Sequence, residues 1–305
     1  MSHTEGFVYV ATGPHYRAEA ARSAASLRTA HPGARICLVA EAAEGPKFWD
    51  DFVLLQKPAF GFRDKIAMRR CPYDRFCFLD CDTQVIGDLA DVFRLLDHFD
   101  FAGHQLFEGH DCPVPGLPDA FPEFNTGILA FRRSPVTEAL FDRWLELYDK
   151  FSTLLQGGDF HYSNISDQKS LRLALYESSV RLTVLGPEYN FVPQQVEFAC
   201  APVRVLHGRG PLSALAARIN RRLINRVYVP RFDAILSDEM DTSELRRLWT
   251  MSTFQLLRNA GVALTPERLR GALRRSPLVR RIFLRNDFDT PPAHASASWR
   301  RPPAP

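Results

Sequence analysis

Arg75-Phe76-Cys77-Phe78-Leu79-Asp80-Cys81-Asp82-Thr83 is an apolar run that stops at two carboxylates. Arg75 to Leu79 reads as a central β-strand, because an apolar strand interior must end where ionised side chains appear. In open parallel sheets the C-terminal strand ends are where ligands bind. Asp80 and Asp82 are two residues apart, so in an extended chain both side chains point to the same face. Two carboxylates there repel one another and raise their own pKa values unless a positive charge joins them. A divalent cation is the natural partner, and all-oxygen ligands favour Mg²⁺ or Mn²⁺. Such an ion can hold a diphosphate and neutralise the charge of a departing nucleoside diphosphate. A strand-end turn in which an Asp caps the following helix has the same spacing. Spacing alone therefore leaves both readings open.

Working outward, short apolar runs alternate with amphipathic stretches, the pattern of a mainly parallel sheet covered by helices. Phe7 to Ala11 reads as a first strand, Arg17 to Ala30 as an Ala-rich helix, Arg35 to Ala40 as a second strand and Phe52 to Leu55 as a third. Asp64 to Arg70 reads as helical. Residues 101–122 show neither period and are expected to form a loop over a site. Beyond it, a strand is expected at Gly127 to Phe131, helices at Thr137 to Leu155 and Asp167 to Tyr176, and strands near Val180 to Leu185 and Val203 to Leu206. The fold class expected is α/β, a Rossmann-type sheet flanked by helices with a helical C-terminal extension. The boundaries expected are a catalytic domain over 1–212, an arginine-bearing helical extension over 213–290 and a loose tail over 291–305.

A chain of 305 residues, 46% hydrophobic, is long enough to bury a large core. Its net charge of +3 hides an asymmetry: from Ser213 onward there are 17 Arg, no Lys and eight acids, +9 in all, which leaves −6 for the remainder. Leu215, Ile219, Leu223 and Val227 recur every four residues against Arg218, Arg221, Arg222 and Arg226, the pattern of a basic amphipathic helix. A shorter version spans Leu278 to Arg285. Such helices either pack on the main domain with arginines in water or lie on an anionic membrane surface. Aromatic residues are not interleaved with the arginines, so nucleic acid is not an expected partner. Residues 1–12 lack a basic segment followed by a long apolar core, and no window reaches the roughly 18 apolar residues of a membrane span. The expected location is the cytoplasm, with the inner face of the membrane as a peripheral site. Cys37, Cys71, Cys77, Cys81, Cys112 and Cys200 are scattered without zinc spacing and read as reduced thiols, mostly buried.

The stretch Lys65 to Phe93, KIAMRRCPYDRFCFLDCDTQVIGDLADVF, resembles glycogenin and related retaining glycosyltransferases of the GT-A fold, a group that includes bacterial lipopolysaccharide galactosyltransferase-like enzymes. The shared features are a lysine, PYD, a hydrophobic strand, LDxDT and DLxxxF. Further similarities follow in the same order: Phe124-Asn125-Thr126-Gly127-Ile128-Leu129 to the FNSG strand, Ser166-Asp167-Gln168 to the DQ helix start, Pro187-Glu188-Tyr189-Asn190, and Leu206-His207-Gly208-Arg209-Gly210 to the HxxG segment. The resemblance covers about residues 6 to 212.

It implies a metal-dependent transferase acting on a nucleotide-diphosphate hexose, with UDP as the expected nucleotide. Asp80, Asp82 and His207 would bind Mn²⁺ or Mg²⁺, with Asp80 and Cys81 near the ribose. Lys65 would contact donor phosphate or sugar. Ala11, Thr12 and Tyr16 occupy the place where relatives receive the base. Asn125 and Asp167 match residues that hydrogen-bond the transferred sugar, and Gln168 matches the residue on its reacting face. The group's histidine precedes a GxxKPW stretch whose lysine clasps the diphosphate; here GRGPL follows His207, leaving Arg209 as the candidate for that charge. The acceptor implied is a glycan, lipid-linked molecule or protein.

Each residue also has a plain reading: a structural histidine at 207, a solvated Lys65, a turn at Asn125, a helix cap at Ser166 or Asp167. In the 101–122 segment, His104, Glu108, His110 and Asp111 read as solvent-exposed, with acceptor contact expected for Asp111. A sugar-phosphate nucleotidyltransferase would share the sheet and the carboxylates but needs a glycine-rich basic loop after the first strand, and ATGPHYR holds one glycine. A catalytically silent binding protein is the remaining alternative, opposed by the presence of both aspartates and His207.

Overall fold

Alternate residues of the apolar runs face opposite sides of one sheet, and both sides are buried. In the strand β1 (Glu5–Val10), Phe7 and Tyr9 enter one core while Val8 and Val10 enter another. The computed structural model describes residues 4–106, 114, 116–156, 167–210, 212–221, 225–237 and 242–250. After β1 come α1 (Pro14–Ala30), β2 (Ile36–Ala40), β3 (Asp51–Leu54), a 3₁₀ helix over Phe62–Arg70, β4 (Arg75–Leu79), β5 (Thr83–Val85), α2 (Ala90–Leu95), β6 (Phe101–Gln105), β7 (Phe124–Arg132), α3 (Pro135–Gln156), α4 (Asp167–Glu177), β8 (Leu182–Leu185), β9 (Glu197–Ala199), β10 (Val205–His207), α5 (Leu212–Ile219) and β11 (Arg226–Val229).

The main sheet has seven strands in the order β3-β2-β1-β4-β7-β6-β8. Every pairing is parallel except the two made by β7, which runs against β4 and β6. This is the mostly parallel sheet flanked by helices that the alternating pattern predicts. One face is covered by α3 and α4, where Phe76, Phe78, Phe124, Phe131, Phe141 and Trp144 interlock; the other by α1 and α2, over Cys77, Leu79, Ile128 and Ala130. Fully burying each large apolar side chain stabilises the fold by about 1.5–3 kcal/mol. Burial on both faces is why these strands read as continuous apolar runs.

Two expectations are corrected. The segment from residue 101 opens with β6, an interior strand between β7 and β8, rather than a loop. FAGHQ has little strand propensity, but a strand held by neighbours on both sides is set by packing. A Cβ on Gly103 would lie 2.8 Å from the Phe101 ring and 3.1 Å from that of Phe124, so glycine fits where a larger residue would not. His104 is accordingly buried at 2% exposure rather than solvated. Glu108, His110 and Asp111 lie outside the described residues.

The basic amphipathic helix is also shorter than its periodicity suggests. It ends at Ile219, and Val227 lies on β11, which pairs antiparallel with β9. The stop is chemical: the Asn220 amide accepts from Val203 N at 2.8 Å and donates to Val203 O at 2.7 Å, replacing helix bonds with a strand-like pair. Leu215 and Ile219 bury against Phe191, Leu206 and Tyr228. Leu223, the second basic stretch at 278–285 and the tail lie outside the described residues.

The described residues up to Arg231, with 235–237, form one compact unit; 232–234 and 242–250 belong to a second, in which 242–250 are helical and Arg247 pairs with Asp233 at 2.7 Å. Among the described residues, no helix is long and apolar enough to cross a membrane. Cys37, Cys71, Cys77 and Cys81 are buried free thiols and Cys200 an exposed one.

Candidate active site

The chain past β4 is held by a tight turn. Asp80 O accepts from Thr83 N at 3.2 Å and Thr83 Oγ1 at 2.8 Å, while Asp80 N donates to Gly127 O at 2.9 Å. The turn delivers β5 into antiparallel pairing with β10, with Thr83 opposite His207. Gly208 N donates to Asp82 O at 3.0 Å, closing the ladder. A residue far along the sequence thus arrives beside both aspartates: His207 Nε2 lies 3.4 Å from Asp82 Oδ1 and 3.8 Å from Asp80 Oδ2. One ligand atom from each of Asp80, Asp82 and His207 falls within 4.8 Å of the others. Two carboxylates and an imidazole at this separation could hold a divalent metal ion. Nδ1 of His207 is buried and has no hydrogen-bond partner among the described residues, whereas Nε2 faces the carboxylates.

Cations surround this triad. Lys65 Nζ donates to Asp80 Oδ2 at 2.6 Å and lies 3.8 Å from Asp167 Oδ2. Burial works against the Lys65 charge, yet Asp167 and Asp80 outweigh it and raise the pKa, so the ammonium persists. Asp167 is raised by burial, with Lys65 opposing. For Asp82, burial pushes up, but His207, Arg209 and Lys65 together bring it below its ordinary value. Arg209 reaches Asp82 Oδ2 at 3.6 Å and forks onto Glu19 at 2.9 and 2.8 Å.

Asp167 opens α4, and its position is set from the core. The buried indole of Trp144 on α3 donates to Asp167 O at 3.0 Å and meets Ser170 Oγ at 3.1 Å. Gln168 follows in the first turn, half-buried. Ser166 lies outside the described residues. Asn125 on β7 is buried; its Oδ1 accepts from Gly127 N at 2.8 Å and Asn190 Nδ2 at 2.9 Å, which orients the amide. A methyl group on Gly127 would overlap the His207 imidazole.

The remaining sequence candidates sit around the end of β1. Ala11 is fully buried and bonded to Val39 O, and Thr12 Oγ1 donates to Asp64 Oδ2 at 2.9 Å. Tyr16 is half-exposed, with the Arg209 guanidinium 5.9 Å from its ring centroid. The side chain of Cys81 turns inward, its thiol 3.4 Å from Val10 O, so only its backbone is placed to meet a ligand. Sequence reading missed Glu19, Asp64 and Asn190 as organisers. Asp64 accepts from Ala59 N and Phe60 N, each at 2.8 Å, as well as from Thr12. Glu19 lies in an Ala-rich helix with no local cue that it faces inward.

No protein-family model and no curated protein matches the chain. Solved structures similar to it include the galactosyltransferase LgtC in complex with donor and acceptor sugar analogues (16% identity, TM-score 0.45, 87% of this chain and 99% of that one). Mouse xyloside xylosyltransferase 1 is similar at 15% identity and a TM-score of 0.44, over 67% of this chain and 98% of that one. The glycosyltransferase GlyE of Streptococcus pneumoniae TIGR4 is similar at 17% identity and a TM-score of 0.42, over 68% of this chain and 55% of that one.

Proposed function

We propose that this chain is a metal-dependent glycosyltransferase that moves a hexose from a nucleotide-diphosphate sugar, UDP-linked by preference, onto a glycan, lipid-linked or protein acceptor. The observation that carries this reading is the meeting of Asp80, Asp82 and His207 at the carboxyl end of the central strand, with Lys65 and Asp167 against them. Asp80, Asp82 and His207 would hold Mn²⁺ or Mg²⁺, and a bound cation would supply positive charge for the donor's diphosphate.

The chain's own groups do the rest. Lys65 keeps its proton and offers it to a phosphate or sugar oxygen, while Arg209 offers a planar fork to the diphosphate. Fixed charges of this kind stabilise a leaving group without reorganising when the bond breaks. Ala11, Thr12 and Tyr16 receive the base and the Cys81 backbone faces the ribose. Asn125 and Asp167 bind the hexose hydroxyls, and Gln168 faces its anomeric carbon. The anomeric C–O bond to the diphosphate breaks as the acceptor hydroxyl attacks on the face the diphosphate leaves, and the hydroxyl proton passes to the departing phosphate oxygen, retaining configuration. Residues 1–212 supply these groups, and Leu215 and Ile219 just beyond them pack inward against Phe191, Leu206 and Tyr228, as expected of a basic helix that leaves its arginines in water.

Thermal-shift screening of nucleotide sugars with and without Mn²⁺, in the parent and in Asp82→Ala, tests the reading. A donor should stabilise the parent only with metal and leave the variant unmoved. Equal stabilisation of both proteins, or none with any donor, sinks it.

A further inference from the structure

We propose that Glu19 of α1 is a positioning residue that aims Arg209 at the diphosphate of the donor; this rests on the transferase reading above. Glu19 is 5% exposed, an unusual place for a carboxylate on an Ala-rich helix, and it takes both arms of the Arg209 fork at 2.9 and 2.8 Å. Nη1 of Arg209 is left over and lies 3.6 Å from Asp82 Oδ2, on the side of the metal-ligand candidates. The Arg209 side chain is 58% exposed. Two of its nitrogens are thus spent on orientation while the third faces the site.

The backbone supports the same aim. Arg209 stands between Gly208 at φ +134° and Gly210 at φ +131°, a region that glycine enters without strain. A Cβ on Gly208 would overlap Gln194, whose Nε2 donates to Arg209 O at 2.9 Å. The Tyr16 ring lies 5.9 Å from the guanidinium carbon on another side. Glu19 also meets His15 Nε2 at 3.4 Å and Arg22 at 4.0 Å, but both of those side chains are largely exposed and neither touches Asp82 in the structure. A lysine at 209 could not make the paired bonds and still reach Asp82, because its ammonium is a single point of charge.

Isothermal titration of the full chain with UDP in Mn²⁺ tests this, alongside thermal melts. Arg209→Ala should weaken UDP by about tenfold, the worth of one charged hydrogen bond. Glu19→Gln keeps the shape but loses the charge; it should weaken UDP several-fold, and the double variant should bind no worse than Arg209→Ala alone, because both act through one group. Arg209→Lys should not restore parental affinity. Parental affinity in Glu19→Gln with only a lowered melting temperature, or additive losses in the double variant, overturns the proposal and leaves the transferase reading standing. A parent that binds no UDP overturns both. Should Glu19→Gln fail to fold, Glu19→Asp carries the test: its shorter reach should weaken UDP, and unchanged affinity refutes the role.

Discussion

Gly127 on β7 lies against the imidazole of His207 so closely that any side chain there would occupy the ring's place. The glycine therefore belongs to the candidate metal site although it offers no ligand. Gly127→Ala should push His207 away from Asp80 and Asp82 and cost about 1–3 kcal/mol through overpacking. Manganese titration followed by melting temperature checks it: the variant should fold, melt lower and gain much less from Mn²⁺ than the parent. An undiminished gain would mean that His207 is not a ligand.

Lys65 presents the opposite case, a charge whose removal strands its partners. Asp167 is buried, and Asp80 is bonded to the same ammonium at 2.6 Å. Lys65→Met should lower stability by about 3 kcal/mol, since losing one member of a buried ion pair leaves an uncompensated carboxylate. Urea denaturation gives the value. Mn²⁺ should restore part of the loss by replacing the missing positive charge, a recovery that Asp82→Ala should not show.

The chemistry-bearing half of this molecule was legible because its signals are local. An apolar strand ending at Asp80 and Asp82 announces the carboxyl end of a sheet whatever the fold, and the helical period of α3 and the continuous apolar runs of β1 and β4 survive without tertiary context. β6 was not legible, since FAGHQ becomes a strand only between β7 and β8. The end of α5 was equally hidden, because the stop comes from Asn220 bonding to distant Val203. In the site, Asp80, Asp82 and His207 come together as expected, while the organising roles of Glu19, Asp64 and Asn190 have no mark in the sequence. Their bonds to Arg209, Thr12 and Asn125 span 190, 52 and 65 residues, a separation at which no spacing rule operates, although Asp64 also closes a local turn through Ala59 N and Phe60 N.

Acid sensitivity should come in two stages, one from His104, which pairs with Asn125 beside the site, and one from Asp100. Burial lowers His104 from its ordinary 6.5 to about 4. The unfolded chain thus binds that proton first, and stability should fall by on the order of 3 kcal/mol between pH 6.5 and 4. Asp100 meets Arg132 and Arg181, which bring it to about 2 against the opposing effect of burial. Its depressed value adds stability that is present above about pH 4 and lost as pH falls towards 2, on the order of 2 kcal/mol. Denaturation curves across pH 7 to 2 should show both declines. His104→Gln should flatten the upper one and Asp100→Asn the lower; a parent equally stable at pH 7 and 4 would refute the first assignment.

Trp144 connects the core to the start of α4. Its indole N–H serves Asp167 O and Ser170 Oγ, and Ser170 Oγ itself donates to Asp167 O at 2.9 Å, so the helix start is pinned by a small closed network. Trp144→Phe keeps a ring in the core but deletes the N–H and leaves a gap. The expected cost is about 2 kcal/mol, combining a small cavity with a lost buried hydrogen bond. The more telling readout is kinetic. If Asp167 binds the transferred sugar, loosening its backbone should lower the turnover number for donor hydrolysis more than it raises the donor KM, because a misplaced group acts chiefly on the transition state. A variant that melts lower yet hydrolyses the donor with unchanged turnover would confine Trp144 to packing and weaken the case for Asp167 at the sugar.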